Sequence, residues 1–186
     1  APNIARTVLM EGHSATMRFA AGADLTSANP NAVRPGVAAD ITLGTNALVR
    51  SGTGDVHLSA ARDVVFSTGS SVYTAGIPGA PSETQFTGLF TYADRGGNVA
   101  ITAGRNVQGS SVQQSVNAWQ RRIGSPDDNS VTRATEWGTD VRNFHWDAGT
   151  LGGGDLSIVA GNDVNKIAAA AADSGQERPN EQLVRF

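Results

Sequence analysis

The sequence predicts an all-β chain, a right-handed parallel β-helix (β-solenoid) with loop insertions. Three observations predict it. One short unit recurs along the chain. Inside that unit, apolar residues alternate with a period of two. The residues on the apolar side are small, and the chain is rich in glycine, with 22 Gly among 186 residues.

The unit reads GDVHLSAARDV at 54–64, GNVAITAGRNV at 97–107 and GDLSIVAGNDV at 154–164. All three fit one frame: Gly, Asp or Asn, apolar, any, apolar, any, Ala, small, any, Asp or Asn, Val. Residues 15–25 (ATMRFAAGADL) keep the frame without the leading Gly-Asp, and residues 40–48 (DITLGTNAL) keep the strand but fall one residue short before the Asn. An internal repeat of this kind outranks other signals when a fold is assigned.

Each part of the unit has a physical reading. Val56 and Leu58, Val99 and Ile101, and Leu156 and Ile158 alternate as a strand with one buried face does. Ala60, Ala103 and Ala160 continue that face with a small residue. Gly104 and Gly161 suit a corner, where positive φ is free of penalty for glycine. Asp63, Asn106 and Asp163 follow, a residue type that bonds its own backbone at bends. Val64, Val107 and Val164 then point back inward. A strand, a corner and the start of another strand cannot bury an apolar face alone. Stacked copies can, at about 4.8 Å per layer. Asn or Asp at the same corner of successive layers is expected to form a side-chain ladder. Handedness follows known solenoids rather than this pattern.

For a layer of about 20 residues, the anchors Met17 and Ile41 are expected one layer apart, and Val56 and Val99 two. Val99 and Leu156 are expected to be separated by layers plus an insertion. Ile41 and Val56 are too close for a layer, unless that layer is abbreviated or the copy is misaligned. The β-helix is expected over 1–173, with insertions near 29–35 (NPNAVRP), 77–95 and 110–150. Pro and small turn residues mark loops at 77–84 (IPGAPSET) and 121–129 (RRIGSPDDN). Residues 167–173 (IAAAAAD) are compatible with either a strand or a helix, and 174–186 form a polar tail.

Composition excludes several functions. Net charge is −3 and Lys166 is the only lysine. No basic stripe appears, so nucleic acid is not an expected partner. No apolar run approaches the ~18 residues of a membrane helix, so membrane insertion is not expected. With no cysteine, disulfides and thiolate metal sites are excluded. His13, His57 and His145 lack metal-ligand spacing. The GGGDLSI stretch at 152–158 departs from the calcium β-roll repeat. No cofactor is expected. Ala1 opens without Met or a charged leader, so the chain reads as a mature fragment or an excised segment.

Several segments resemble large filamentous-haemagglutinin-type exoproteins of Gram-negative bacteria. They are 152–164 (GGGDLSIVAGNDV) with the apolar run from Ile167, Trp119 with Gln120, 137–144 (WGTDVRNF), 149–154 (GTLGGG) and the GGNVAITAGRNV unit at 96–107. The resemblance spans most of the chain from about Gly52 onward. It implies a β-helical shaft segment of a secreted surface adhesin, acting in adhesion, aggregation or biofilm. It further implies export by two-partner secretion through an outer-membrane transporter, and a cell-surface glycan or receptor as partner. The segment would be interior or C-terminal, since the export signal of that system lies at the N-terminus of the whole protein. No enzymatic activity is expected.

One region bears candidate binding residues. Trp119, Trp137 and Trp146 fall between the last two strong copies, with Phe144 and His145 nearby. They read either as an aromatic platform for sugar rings, with Arg121, Arg122, Asp140 and Arg142 supplying hydrogen bonds, or as the private core of an insertion. Asp140, Arg142, His145 and Asp147 could suggest a glycosidase pair. Strand alternation places Asp140 and Arg142 on one face, and His145 and Asp147 on the other if the strand continues, which favours surface charges on a connecting strand.

Overall fold

The computed structural model describes Leu9 and residues 12–78, 93–123, 136–172 and 175–176. Within them the chain is all-β, with two short 3-10 turns and no α-helix. Three four-stranded parallel sheets dominate. The first holds β1 (Met17–Ala21), β4 (Val56–Ala60), β9 (Val99–Ala103) and β14 (Leu156–Ala160), in that order. The second holds β2 (Ile41–Leu43), β5 (Val64–Phe66), β10 (Asn106–Gln108) and β15 (Asp163–Asn165). The third holds β3 (Leu48–Ser51), β6 (Ser71–Thr74), β13 (Ala148–Thr150) and β16 (Ala169–Ala171). Each sheet takes one strand in turn from four successive tiers of the chain.

Register follows the repeat. Met17, Val56, Val99 and Leu156 are successive partners in the first sheet, and Ile41, Val64, Val107 and Val164 in the second. Like residues therefore stack on like. Val56, Leu58, Val64, Val72, Val99, Ile101, Val107 and Ala148 form one buried core between the sheets. Each fully buried Val, Leu or Ile among them contributes about 1.5–3 kcal/mol.

The spacing of the anchors needs correction. Ile41 pairs with Val64, so it belongs to the second sheet and shares a tier with Met17. Val56 and Val99 lie one tier apart, not two, and so do Val99 and Leu156. The extra residues are excursions that leave from three different corners. One separates β1 from β2 and is closed by an Ala23–Val33 bridge. Another follows β6 and carries the antiparallel pair β7 (Ile77–Pro78) and β8 (Ala93–Asp94). Most of the 77–84 loop lies outside the described residues. The last excursion separates β10 from β13. The alanine run at 167–173 resolves as strand β16, in parallel register with β13.

The repeat's glycines answer to close approach. Gly104 and Gly161 do not adopt the positive φ expected of them. A Cβ on Gly104 would lie 2.2 Å from the Ala61 carbonyl oxygen, and one on Gly161 would lie 2.3 Å from that of Gly104. The leading glycines stack in the same way, with a Cβ on Gly97 meeting the Gly54 oxygen at 2.3 Å. At Gly97, Gly104 and Gly161 a Cβ would meet the backbone of the tier below, whereas Ala61 holds the Gly104 position in its own tier with a Cβ in place.

Two side-chain ladders climb the edges of the first sheet. In one, Asp55 Oδ1 accepts the Asn98 N–H at 2.8 Å, and Asn98 Oδ1 accepts the Asp155 N–H at 2.8 Å. In the other, Asp40 takes a two-pronged hydrogen bond from Arg62 and accepts the Asp63 N–H at 3.1 Å. Asp63 repeats this one tier on, with Arg105 and the Asn106 N–H. Asn162 then donates to Asn106 Oδ1 at 2.9 Å. The Arg62 guanidinium holds the Asp40 carboxyl down at about 2, and Arg105 lowers Asp63 in the same way.

Gly97→Ala should destabilise by about 1–3 kcal/mol, as overpacking does, and Ile101→Asp should abolish the cooperative thermal transition; unchanged melting would contradict the inward stacking. A carboxyl whose pKa is lowered on folding stabilises above its unfolded pKa and loses that contribution as pH falls toward the folded value. Stability should therefore drop between about pH 4 and pH 2. Asp40→Asn should flatten the drop, modestly because the pair is exposed. An unaltered pH profile in that variant would contradict the ladder's role.

Candidate functional site

The excursion between β10 and β13 holds every candidate binding residue. It leaves at Gly109, passes a 3-10 turn at Val116–Ala118, and forms β11 (Gln120–Ile123) antiparallel to β12 (Glu136–Thr139). The short strand β17 (Gly175–Gln176) pairs with the other side of β12. A second 3-10 turn, Val141–Asn143, leads back to β13.

This excursion lies against the third sheet and makes a second core there. Leu9, Tyr73, Ala75, Ala93, Trp119, Val141, Phe144, Leu151 and Ala172 are buried together. The reason is local. Strand alternation turns Val72 into the main core and Tyr73 away from it, onto the excursion. Phe144 stands edge-on to Tyr73 at 5.2 Å and to Trp119 at 5.0 Å. Trp119 meets Trp146 edge-on at 5.3 Å. Edge-to-face pairs are worth about 0.5–1.5 kcal/mol beyond their buried area. Phe144 needs Gly149 beneath it, because a Cβ there would lie 2.7 Å from Phe144 Cζ.

Trp119 is fully buried, and its Nε1 has no hydrogen-bond partner among the described residues. Neither ring face is open to solvent. Trp146 is half-buried, and its Nε1 donates to the Gln114 carbonyl at 2.9 Å. Trp137 lies on β12 opposite Arg122, and the side chains of Trp137, Arg121 and Arg122 fall outside the described residues. Arg142 donates from its backbone N and its Nε to Asp140 Oδ1, both at 3.1 Å, so Asp140 caps the second 3-10 turn.

Asp147 does structural work. Its carboxylate is fully buried. Oδ1 accepts from the Ser110 N–H at 3.1 Å and hydroxyl at 2.6 Å, and Oδ2 accepts from the Ala168 N–H at 2.9 Å. It thereby ties the start of the excursion to its end and to the next tier. His145 is exposed, with its backbone N–H donating to Gln114 Oε1 at 3.1 Å. The strand does not continue through 140–147, because a 3-10 turn occupies 141–143, and Asp147 is buried rather than the surface charge expected. The structure thus brings Trp119, Trp146 and Phe144 together, and joins Arg142 to Asp140, while Asp147 faces Ser110 and Ala168. Tyr73 and Gln114 complete the arrangement. Their sequence signals were weak: one tyrosine in a strand and one glutamine in a polar run.

Comparison with protein-family models, curated proteins and solved structures returned no match. Among the described residues no helix is long and apolar enough to cross a membrane, which leaves β-barrels unaddressed.

Trp119→Ala should cost about 3–5 kcal/mol, the usual range for emptying a buried tryptophan site. Trp119→Phe should cost less, since the indole N–H bonds nothing described. Urea melts of the two variants check this. Equal stability of Trp119→Ala and the parent chain would show that the aromatic cluster holds nothing.

Proposed function

We propose that the chain is a segment of a right-handed parallel β-helical shaft, and that the shaft belongs to a secreted bacterial surface adhesin of the filamentous-haemagglutinin type. The observation that carries this reading is the shared strand order of the three parallel sheets, each taking its strands from the same four tiers in sequence. A chain that visits three sheets in rotation and advances one strand each time describes a coil. Right-handed crossover is the near-universal hand for parallel connections. The stacked repeat and its tryptophan-bearing segment supply the resemblance to the exoproteins.

The work of such a segment is mechanical. Continuous backbone hydrogen bonding along the axis gives stiffness, and excursions at the corners carry variable surface without disturbing the core. The parent protein would cross the outer membrane through its transporter partner and act in adhesion, aggregation or biofilm. A cell-surface glycan or receptor would meet the excursions. The packing of Trp119 leaves Trp146 and the polar groups around it as the surface to test.

Antibodies raised against the purified chain should label intact cells that make the protein, and external protease should remove the signal. Labelling only after lysis would contradict surface display.

A further inference from the structure

The corner between the second and third sheets is crossed differently in the third tier. In the first tier the Ala47 N–H reaches the Gly44 carbonyl at 2.9 Å, and in the second the Ser70 N–H reaches that of Ser67 at 3.0 Å, so a single turn suffices. In the third tier the chain departs at Ser110 and returns at Asp147, and Asp147 Oδ1 joins the two ends by accepting the Ser110 N–H and hydroxyl. Oδ2 takes the Ala168 N–H of the fourth tier. This carboxylate is fully buried, and among the described residues no cation pairs with it. The titratable or charged groups on the neighbouring strands and turns are Tyr73, with Arg50 over its ring at 5.9 Å, Lys166 and His145, and none of them bonds to Asp147. Ser71 stands beside Asp147, since Val72 and Ala148 are partners. Its hydroxyl is fully buried and has no hydrogen-bond partner among the described residues. The backbone here is strained. Ser111 and Lys166 hold φ of 60° and 52°, and the Ser111 N–H reaches the Lys166 carbonyl at 3.3 Å. Asn46 and Gly69 take the place of Lys166 in the lower tiers, and both residue types tolerate that conformation.

We propose that Asp147 is a proton-operated latch on the excursion between β10 and β13. Ionised, it holds both ends of the excursion to each other and to the fourth tier. Protonated, one of its oxygens becomes a donor and turns to the waiting Ser71 hydroxyl. The Ser110 and Ala168 N–H groups then cannot both keep their acceptor. A buried N–H without an acceptor is costly, so the corner opens. Opening relaxes the left-handed residues Ser111 and Lys166, a use of strain common at switch regions. It also brings water to the aromatic cluster on the third sheet. The closed form binds fewer protons than the open one, so closure weakens as pH falls. This latch acts on the excursion, whereas the exposed Asp40 and Asp63 pairs act on the shaft. The proposal rests on this corner alone and holds whatever structure the shaft belongs to.

Trp119, Trp137 and Trp146 are the chain's only tryptophans and all lie on this excursion, so their fluorescence reports on it alone. The test is acrylamide quenching of the whole chain from about pH 8 to about pH 3, which spans the imidazole and carboxylate ranges. Far-UV circular dichroism follows the sheets at each step. Quenching should rise and emission shift to the red as pH falls, while the β signal holds. Asp147→Asn sets a donor where an acceptor oxygen stood, as protonation does. That variant should be as quenchable at the alkaline end as the parent is in acid, with no transition left. His145→Gln should keep the parent's transition. In the labelled parent protein the Asp147 carboxyl carbon should titrate with the same midpoint as the quenching, a readout that stands even if Asp147→Asn does not fold. The proposal is overturned by quenching that stays flat until the β signal itself is lost. It is equally overturned by a transition that survives in folded Asp147→Asn, or by a carboxyl midpoint apart from that of the tryptophans.

Discussion

Each tier lies on the next at the spacing of one inter-strand hydrogen bond, about 4.8 Å, and the rest of the structure depends on that distance. Parallel strands in register put the same repeat position above itself, so every choice in the repeat is judged against a copy of that choice. An aliphatic on an aliphatic makes a core. A glycine over a glycine permits contact of backbones that a Cβ would prevent, as at Gly54 and Gly97. A carboxylate over a carboxylate would repel. The ladders avoid this by interposing Arg62 and Arg105, and by placing Asn98 and Asn106 in the third tier.

The same constraint explains where the chain departs from its repeat. A tier must return to register, but nothing fixes the path between sheets. The excursions therefore leave from different corners and differ in length, while the strands on either side keep their partners. The largest one must be anchored at both ends. Asp147 does this through Ser110 and Ala168, and the aromatic cluster fills the space between the excursion and the third sheet. A buried carboxylate that accepts hydrogen bonds at both oxygens avoids most of the penalty of burying charge.

Much of the strand content was legible in the sequence. The alternation of Val56 with Leu58 and of Val99 with Ile101, and the corner before Val64 and Val107, marked the first two sheets. The third sheet was nearly invisible, because its strands are short and read LVRS, SVYT, AGT and AAA without a shared motif. Counting tiers from anchor spacing failed for a related reason: an excursion and an extra tier lengthen the chain alike. The Asn-Asp ladder was legible in kind. Its arginines stood in plain view at 62 and 105, but their partners are a tier below, and only the register reveals them. In the candidate site, the clustering of aromatics could be read from the sequence. Which ring is buried could not, since that depends on Tyr73 from a distant strand.

Every contact described above depends on the register, and a slip of one residue would turn every side chain to the wrong face. The most direct measurement is inter-strand nuclear Overhauser contacts in the labelled protein. Backbone contacts should join Val56 to Val99 and Val99 to Leu156, with Val64 to Val107 in the second sheet, all in the parallel pattern. Contacts offset by one residue, or the close Hα–Hα pairs of an antiparallel sheet at these positions, would contradict it.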